Sequence, residues 1–349
     1  MPEAVNIGRP VRNRAAVLSA IEKVDIVNRP YPICGPDEVI IRVEAVGLCG
    51  SDVHYYKHGK IGSFALTGPL VLGHETAGSV VEVGENVGEI KPGMRVAVEP
   101  GVPCGRCDLC RQGKYNLCAN VNFHATPPVD GTLQEYISAR ADFIFPLPDA
   151  VSTEEGALIE PLAVAVWAAR KARIVPGMSV LITGAGTIGL LALQVAISSG
   201  ASHIAVTDFD PDRIAMADSL GASESSIAMH TTGTPGDRLF DVFLECSGSP
   251  EAVTNGIGRL KPSGAAILVG MGASNPLDIP ISTIQEKELW ITGTFRYANS
   301  YPAAIELLRT KSVDVAPLIT RRYSLNQTEE ALISAYKHEG VKTIVCPNR

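Results

Sequence analysis

The sequence predicts an α/β protein of two domains, one rich in short strands and one built on a doubly wound parallel sheet. Three observations lead there. At 349 residues the chain exceeds one ordinary hydrophobic core. Its first 150 or so residues read as short strands cut by glycines. Beyond them, apolar strands alternate with helical stretches, starting from a strand, a glycine-rich turn, a helix and a second strand.

Taken in order, residues 1–14 are polar and expected to be loose. Residues 15–18 and 37–44 read as strands, the second alternating apolar and charged side chains. Gly47-Leu48-Cys49-Gly50 ends that strand and begins a turn. Residues 78–84 form a strand bounded by glycines, and residues 91–98 a turn feeding another. Ser152 and Glu155 have the spacing of a capping box, opening a helical segment that runs through Glu160 and Pro161. Residues 179–183 and 202–208 are strands around an apolar helix at 190–199. Buried strands follow at 241–246, 265–270 and 289–292, each suited to a parallel sheet covered on both faces. An amphipathic helix at 300–308 and a last strand at 342–345 complete the reading.

Net charge is −7, which gives no general attraction for polyanions, so neither nucleic acid nor a membrane surface is expected as a partner. Arg9, Arg12 and Arg14 precede an apolar run, 15–18, that is too short for a signal peptide. With no long apolar segment either, a soluble cytoplasmic protein is expected. In such a setting the eight cysteines do not read as a disulfide framework. Cys34, Cys246 and Cys346 are expected to be buried and structural.

Cys104, Cys107, Cys110 and Cys118 fall within one short loop. Four thiolates satisfy tetrahedral zinc and leave no position free, so this site is expected to be structural. Cys49, His74 and Glu75 offer a thiolate, an imidazole and a carboxylate, a mixed set that suits zinc with one position open for chemistry. On spacing alone, a small buried cysteine and a satisfied core histidine remain the competing reading. Glu160 lies between apolar residues and a proline, and is either a solvated helix residue or a group turned towards that metal.

Gly184-Ala185-Gly186-Thr187-Ile188-Gly189, placed between strand and helix, is a dinucleotide-binding signal. The glycines let the backbone approach a pyrophosphate, and the helix N-terminus offers it unpaired N–H groups. Asp208 ends the next strand, where it can accept hydrogen bonds from ribose hydroxyls and repel a 2′-phosphate. That favours NAD over NADP, tempered by Arg213 five residues on.

These motifs together carry a resemblance. Cys49-Gly-Ser-Asp-Val-His-Tyr-Tyr56, Gly73-His-Glu75, the four-cysteine loop and the glycine-rich turn resemble the zinc-dependent medium-chain dehydrogenases over nearly the whole chain. Ala125-Thr-Pro-Pro-Val-Asp-Gly131, Glu155-Gly-Ala-Leu-Ile-Glu-Pro161 and Gly293-Thr-Phe-Arg-Tyr297 are similar to the polyol branch, the sorbitol and xylitol dehydrogenases. The resemblance implies a GroES-like catalytic domain, 1–155 with 294–349, and a Rossmann dinucleotide-binding domain, 156–293. It implies two zinc ions: a catalytic one on Cys49, His74 and Glu75 with Glu160 as a direct or water-mediated partner, and a structural one on the four cysteines.

It further implies a proton relay through Ser51 and His54, and polyol contacts from Tyr55, Phe123, Thr126, Glu160, Arg296 and Tyr297. Cofactor contacts would add Val269, Gly270 and Met271, then Thr294, Phe295 and Arg296, to the glycine-rich turn, Asp208 and Arg213. The implied reaction is NAD-dependent oxidation of a sorbitol- or xylitol-class polyol to the 2-ketose by a homo-oligomer, a tetramer being favoured. Two other readings compete: a zinc dehydrogenase for threonine, butanediol or an aldonate, whose carboxylate Arg296 could meet, and a noncatalytic nucleotide-binding protein on the same fold.

Overall fold

Glu38–Gly47, a ten-residue strand, is the spine of the first of two compact units. The computed structural model describes residues 12–228, 238–271 and 279–349. The expected loose start therefore lies, up to residue 11 and including Arg9, outside the described residues.

The first unit comprises Met1–Val102, Asn122–Leu158 and Ile319–Arg349. Its main sheet runs in the order Ile144–Pro146, Arg95–Val98, Glu75–Val83, Glu38–Gly47, Lys342–Cys346, Ile319–Ser324, with Tyr136–Arg140 also on the spine strand. Pairing is antiparallel except between the last two strands. Asn13–Ala20 and Lys23–Arg29 form a hairpin beside it. Val39, Ile41, Val43, Val46, Leu133 and Val345 are almost wholly buried in one apolar cluster, which fixes the register because a one-residue slip would turn them outward.

The expected turn at Gly47–Gly50 is instead a junction into a helix, Gly50–His58. Gly59 ends that helix in the left-handed region at φ 66°, its N–H bonded to the Tyr55 carbonyl. The Ser152–Glu155 capping box is present, with Ser152 Oγ accepting the Glu155 N–H and Glu155 Oε2 accepting the Ser152 N–H at 2.7 Å. The helix it opens stops at Ala157, and a second, Ile159–Ala172, carries Glu160.

The second unit comprises Pro103–Val121 and Ile159–Leu318. Among the described residues its sheet has six strands, all parallel, in the order Glu224–Ile227, His203–Asp208, Ser179–Thr183, Phe240–Glu245, Leu260–Leu268, Trp290–Gly293. Strand order reverses beside Ser179–Thr183, the first of these strands in the sequence, as in doubly wound sheets. Packing draws the units differently from the expected division of 1–155 with 294–349 against 156–293. The four-cysteine loop and residues 294–318 both lie in the second unit. Asn116 donates to the Phe295 carbonyl at 2.8 Å, and Tyr115 Oη accepts the Asn299 N–H at 2.8 Å, which ties those two segments together. Cys346 is buried as expected, whereas Cys34 and Cys246 are only half-buried.

Candidate active site

Asp52 organises the first cluster. It is fully buried as the third residue of the Gly50–His58 helix. Its Oδ2 accepts the Cys49 N–H at 2.9 Å and its Oδ1 accepts the Gly73 N–H at 2.9 Å, so one carboxylate joins the two ligand-bearing segments. The same Oδ1 lies 3.9 Å from His74 Nδ1. Glu75 begins its strand directly opposite Gly47, where a Cβ would stand 2.0 Å from Glu75 Oε2. Glycine at 47 therefore leaves the room the carboxylate occupies. The ligand atoms of Cys49, His74 and Glu75 all lie within 4.8 Å of one another. That donor set fits a zinc ion with an open position.

Behind the trio stands Lys342. Its Nζ donates to Glu75 Oε1 and Oε2 at 2.8 and 2.7 Å and to the Leu48 carbonyl at 2.9 Å. Lys342 and Glu75 are both nearly inaccessible, so this ion pair is buried and hydrogen-bonded, the condition under which a buried charge is tolerated.

Around the trio, Phe123 packs its ring 5.6 Å from that of His74. Thr126 closes a tight turn, donating its N–H to the Phe123 carbonyl at 3.1 Å and accepting that of Val129 at 2.8 Å. Ser51 is half-buried in the first turn of the helix, Tyr55 is buried, and His54 is exposed. Partial burial of its ring, then the neighbouring His58, lowers the His54 pKa and favours the neutral imidazole. Cys49, His54 and His58 share one pocket.

In the second unit, the four cysteines of the 104–118 loop have sulfurs within 4.8 Å of one another. Cys104 and Cys110 are separated by 3.9 Å and Cys107 and Cys110 by 3.4 Å. A tetrahedron with Zn–S bonds near 2.3 Å has edges of about 3.8 Å, so the set fits zinc. Backbone N–H groups of Arg106 and Cys107 pull the Cys104 thiol down to about 6, while burial and the adjacent sulfurs push Cys110 up to about 12.

The remaining expected contacts collect at the C-terminal edge of the parallel sheet. Gly184 has φ +87°, and a Cβ on Gly189 would stand 1.7 Å from the Gly184 carbonyl oxygen, so the turn requires glycine at both. Gly186 caps the Thr187–Ser198 helix, with Thr187 and Ile188 as its first two residues. Asp208 Oδ2 accepts the Ala185 N–H at 2.6 Å, and Oδ1 that of Asp210 at 2.9 Å, which fixes the carboxylate beside the glycine turn. The Arg213 guanidinium lies 3.8 Å from where a Gly186 Cβ would be.

Val269 and Gly270 donate to the Glu245 carbonyl at 2.8 and 2.9 Å, and exposed Met271 follows them. Thr294 donates to the Leu268 carbonyl at 2.8 Å. Phe295 carries the Arg296 guanidinium 4.8 Å over its ring. Arg296 itself is held at φ 54°, a left-handed conformation uncommon for a long side chain. Tyr297 Oη donates to Glu160 Oε1 at 2.9 Å, both residues being buried.

Three organising residues escaped the sequence reading: Asp52, Lys342 and Glu245. Glu245 is buried, and its Oε1 accepts the Ser247 N–H, the Ser247 hydroxyl and the Gly248 N–H at 2.7, 2.5 and 2.8 Å. The Asp52 signal was present, since an acid three residues after a cap marks a helix start. Lys342 has no local signal.

Residues 35–149 match the alcohol dehydrogenase GroES-like domain and residues 187–310 the zinc-binding dehydrogenase family. The chain is 42% identical over 348 residues to a sorbitol dehydrogenase of Bacillus subtilis, covering 97% of this chain and 99% of that one. It is 42% identical over 347 residues to a probable D-xylulose reductase A of Aspergillus clavatus, covering 96% of each. Among solved structures, an Escherichia coli oxidoreductase/dehydrogenase of unknown specificity superposes with a TM-score of 0.91 at 37% identity, covering 96% and 99% of the two chains.

Proposed function

The chain belongs to the zinc-binding dehydrogenases with a GroES-like domain, and from that premise we propose that it oxidises a polyol of the sorbitol or xylitol class to the 2-ketose, with NAD as hydride acceptor. The observation that carries the reading is the convergence of Cys49, His74 and Glu75 within 4.8 Å, backed by a buried cation. Zinc bound there would supply Lewis acidity that eases loss of the substrate's hydroxyl proton, while the nicotinamide accepts the hydride.

The protein's part is positioning and proton handling. Ser51 and then His54 are the proposed route for the hydroxyl proton, and the neutral His54 imidazole has the lone pair to receive it. Glu160, oriented by the Tyr297 hydroxyl, is the proposed carboxylate partner of zinc or of its water. Tyr55, Phe123, Thr126, Arg296 and Tyr297 would hold the hydroxyl-rich chain. Asp208 would take the adenosine ribose hydroxyls and disfavour a 2′-phosphate, with Arg213 moderating that preference.

We assign the catalytic role to 1–155 with 294–349 and the cofactor role to 156–293. The working state is proposed to be a cytoplasmic homo-oligomer, a tetramer. Among the described residues no helix is long and apolar enough to cross a membrane.

The test is NADH formation across sorbitol, xylitol, threonine, 2,3-butanediol and simple alcohols. Sorbitol or xylitol is expected to exceed 2-propanol in kcat/KM by at least about a hundredfold, the discrimination that unpaired polar groups in a pocket impose. Equal rates on threonine or butanediol would transfer the assignment to those substrates.

A further inference from the structure

Three of the seven histidines, His54, His58 and His338, line one pocket of the first unit together with Cys49, Val53, Lys57 and Tyr336. His54 and His58 are four residues apart on the Gly50–His58 helix, so their side chains project from the same face one turn apart. Their ring centroids are 5.8 Å apart and both residues reach solvent, the His54 ring being partly buried. This is the spacing at which two imidazoles on a helix chelate one ion.

The charges around the pair permit a cation. Among the residues lining the pocket the fixed positive charge is Lys57, whose ammonium is paired with Glu22 and lies 4.2 Å over the Tyr336 ring. The pocket is lined by no carboxylate, and its donors are imidazole nitrogens and the Cys49 thiol, which suit zinc, nickel and copper and not magnesium or calcium. Neutral imidazole is the form that ligates, and His54 is held towards it by partial burial and by His58. Among the described residues only the two sets already described bring three ligand atoms within 4.8 Å, so the pair is a two-point chelate completed by water, with His338 alongside.

We propose that His54 and His58 form a third, exchangeable site for a divalent transition-metal ion, and that its occupation inhibits turnover. The inhibitory half rests on the relay role proposed for His54: an imidazole whose lone pair is given to a metal has none for a proton. The chain would then require zinc at two sites and be restrained by a transition metal at a third.

The test uses the zinc-loaded full-length protein, purified without an affinity tag, with Ni²⁺ as the probe. Equilibrium dialysis against Ni²⁺, with zinc measured alongside to count exchange at the other sites, is expected to give one more Ni²⁺ per chain in the parent than in His58→Ala. At neutral pH His58→Ala should keep the parent's turnover without Ni²⁺, and require about tenfold more Ni²⁺ for half-inhibition. Magnesium should do nothing in either. Equal Ni²⁺ uptake by parent and His58→Ala would overturn the site. Uptake that depends on His58 without loss of turnover would leave the site standing and remove the relay reading, as would a His54→Gln variant that turns over normally but takes up no extra Ni²⁺.

Discussion

Lys342 holds both carboxylate oxygens of Glu75 from 267 residues away, at 2.8 and 2.7 Å. Exchanging it for the similarly shaped but neutral Met leaves a buried carboxylate without its cation. Lys342→Met is expected to cost about 3 kcal/mol of stability in zinc-free protein, the lower end for breaking a buried pair. Urea unfolding of the two zinc-free proteins measures this. Zinc retention against a chelator should also fall about tenfold at the Cys49 site, the lower end of what removing a supporting partner does. Unchanged unfolding midpoints would mean that the pair does not stabilise the fold.

The two metal clusters should behave differently. Metal analysis is expected to find two zinc ions per chain, with the four-cysteine site losing its ion more slowly to a chelator because it is closed. Cys107→Ser should lower thermal stability and leave one zinc, whereas Cys49→Ser should abolish turnover in a folded protein. One zinc or none in the purified parent contradicts the assignment.

Asp208 is tied to two backbone N–H groups, so a test of its charge must keep its shape. Asp208→Asn removes repulsion of a 2′-phosphate and retains one acceptor oxygen. The NAD-over-NADP ratio of kcat/KM is expected to fall by about tenfold or more, the scale of one hydrogen bond to a charged group. An unaltered ratio would place cofactor choice elsewhere.

His54 has a defined pH consequence. Its folded-state pKa lies below the ordinary 6.5, so the neutral form persists as pH falls and is lost only below that value. The acid limb of kcat/KM should therefore fall below 6.5. His58→Ala removes the lesser of the two causes, so the limb should move up towards 6.5 without reaching it, burial being the larger cause. A downward shift in that variant would show that His58 does not act on His54 through charge.

Tyr297→Phe removes the hydroxyl that donates to Glu160 while keeping the ring. Turnover of polyols is expected to drop about tenfold. Arg296→Ala should harm polyols far more than 2-propanol, because a short alcohol has no distal hydroxyls to lose. Equal losses on both would remove Arg296 from the polyol pocket.

What could be read beforehand followed the range of the forces involved. The parallel-sheet unit was legible because its strands are apolar runs and its glycine turn is dictated by backbone contacts between Gly184 and Gly189. The four-cysteine loop was legible for the same reason. The Gly50–His58 helix was missed because glycines on either side read as breaks, although Asp52 and Gly59 are ordinary start and stop signals. Lys342 was out of reach, since a lysine heading an apolar strand looks solvated until the strand is seen to sit inside a sheet. Asn116 and Asn299 fasten loops from distant parts of the sequence, contacts that have no local signal.

The place of Lys342–Cys346 between Glu38–Gly47 and Ile319–Ser324 in the first unit's sheet bears on the order in which the protein matures. A ribosome delivers Cys104–Cys118 long before it delivers residue 342, so the four-cysteine loop can capture its ion while synthesis continues. Until Lys342–Cys346 emerges, Glu38–Gly47 lacks the neighbour that separates it from Ile319–Ser324, and the Glu75 carboxylate lacks its ammonium. The cluster of Cys49, His74 and Glu75 is thereby the later of the two to become charge-balanced, and a nascent chain stalled before residue 342 would hold a complete four-cysteine loop while the first unit's sheet is still unfinished.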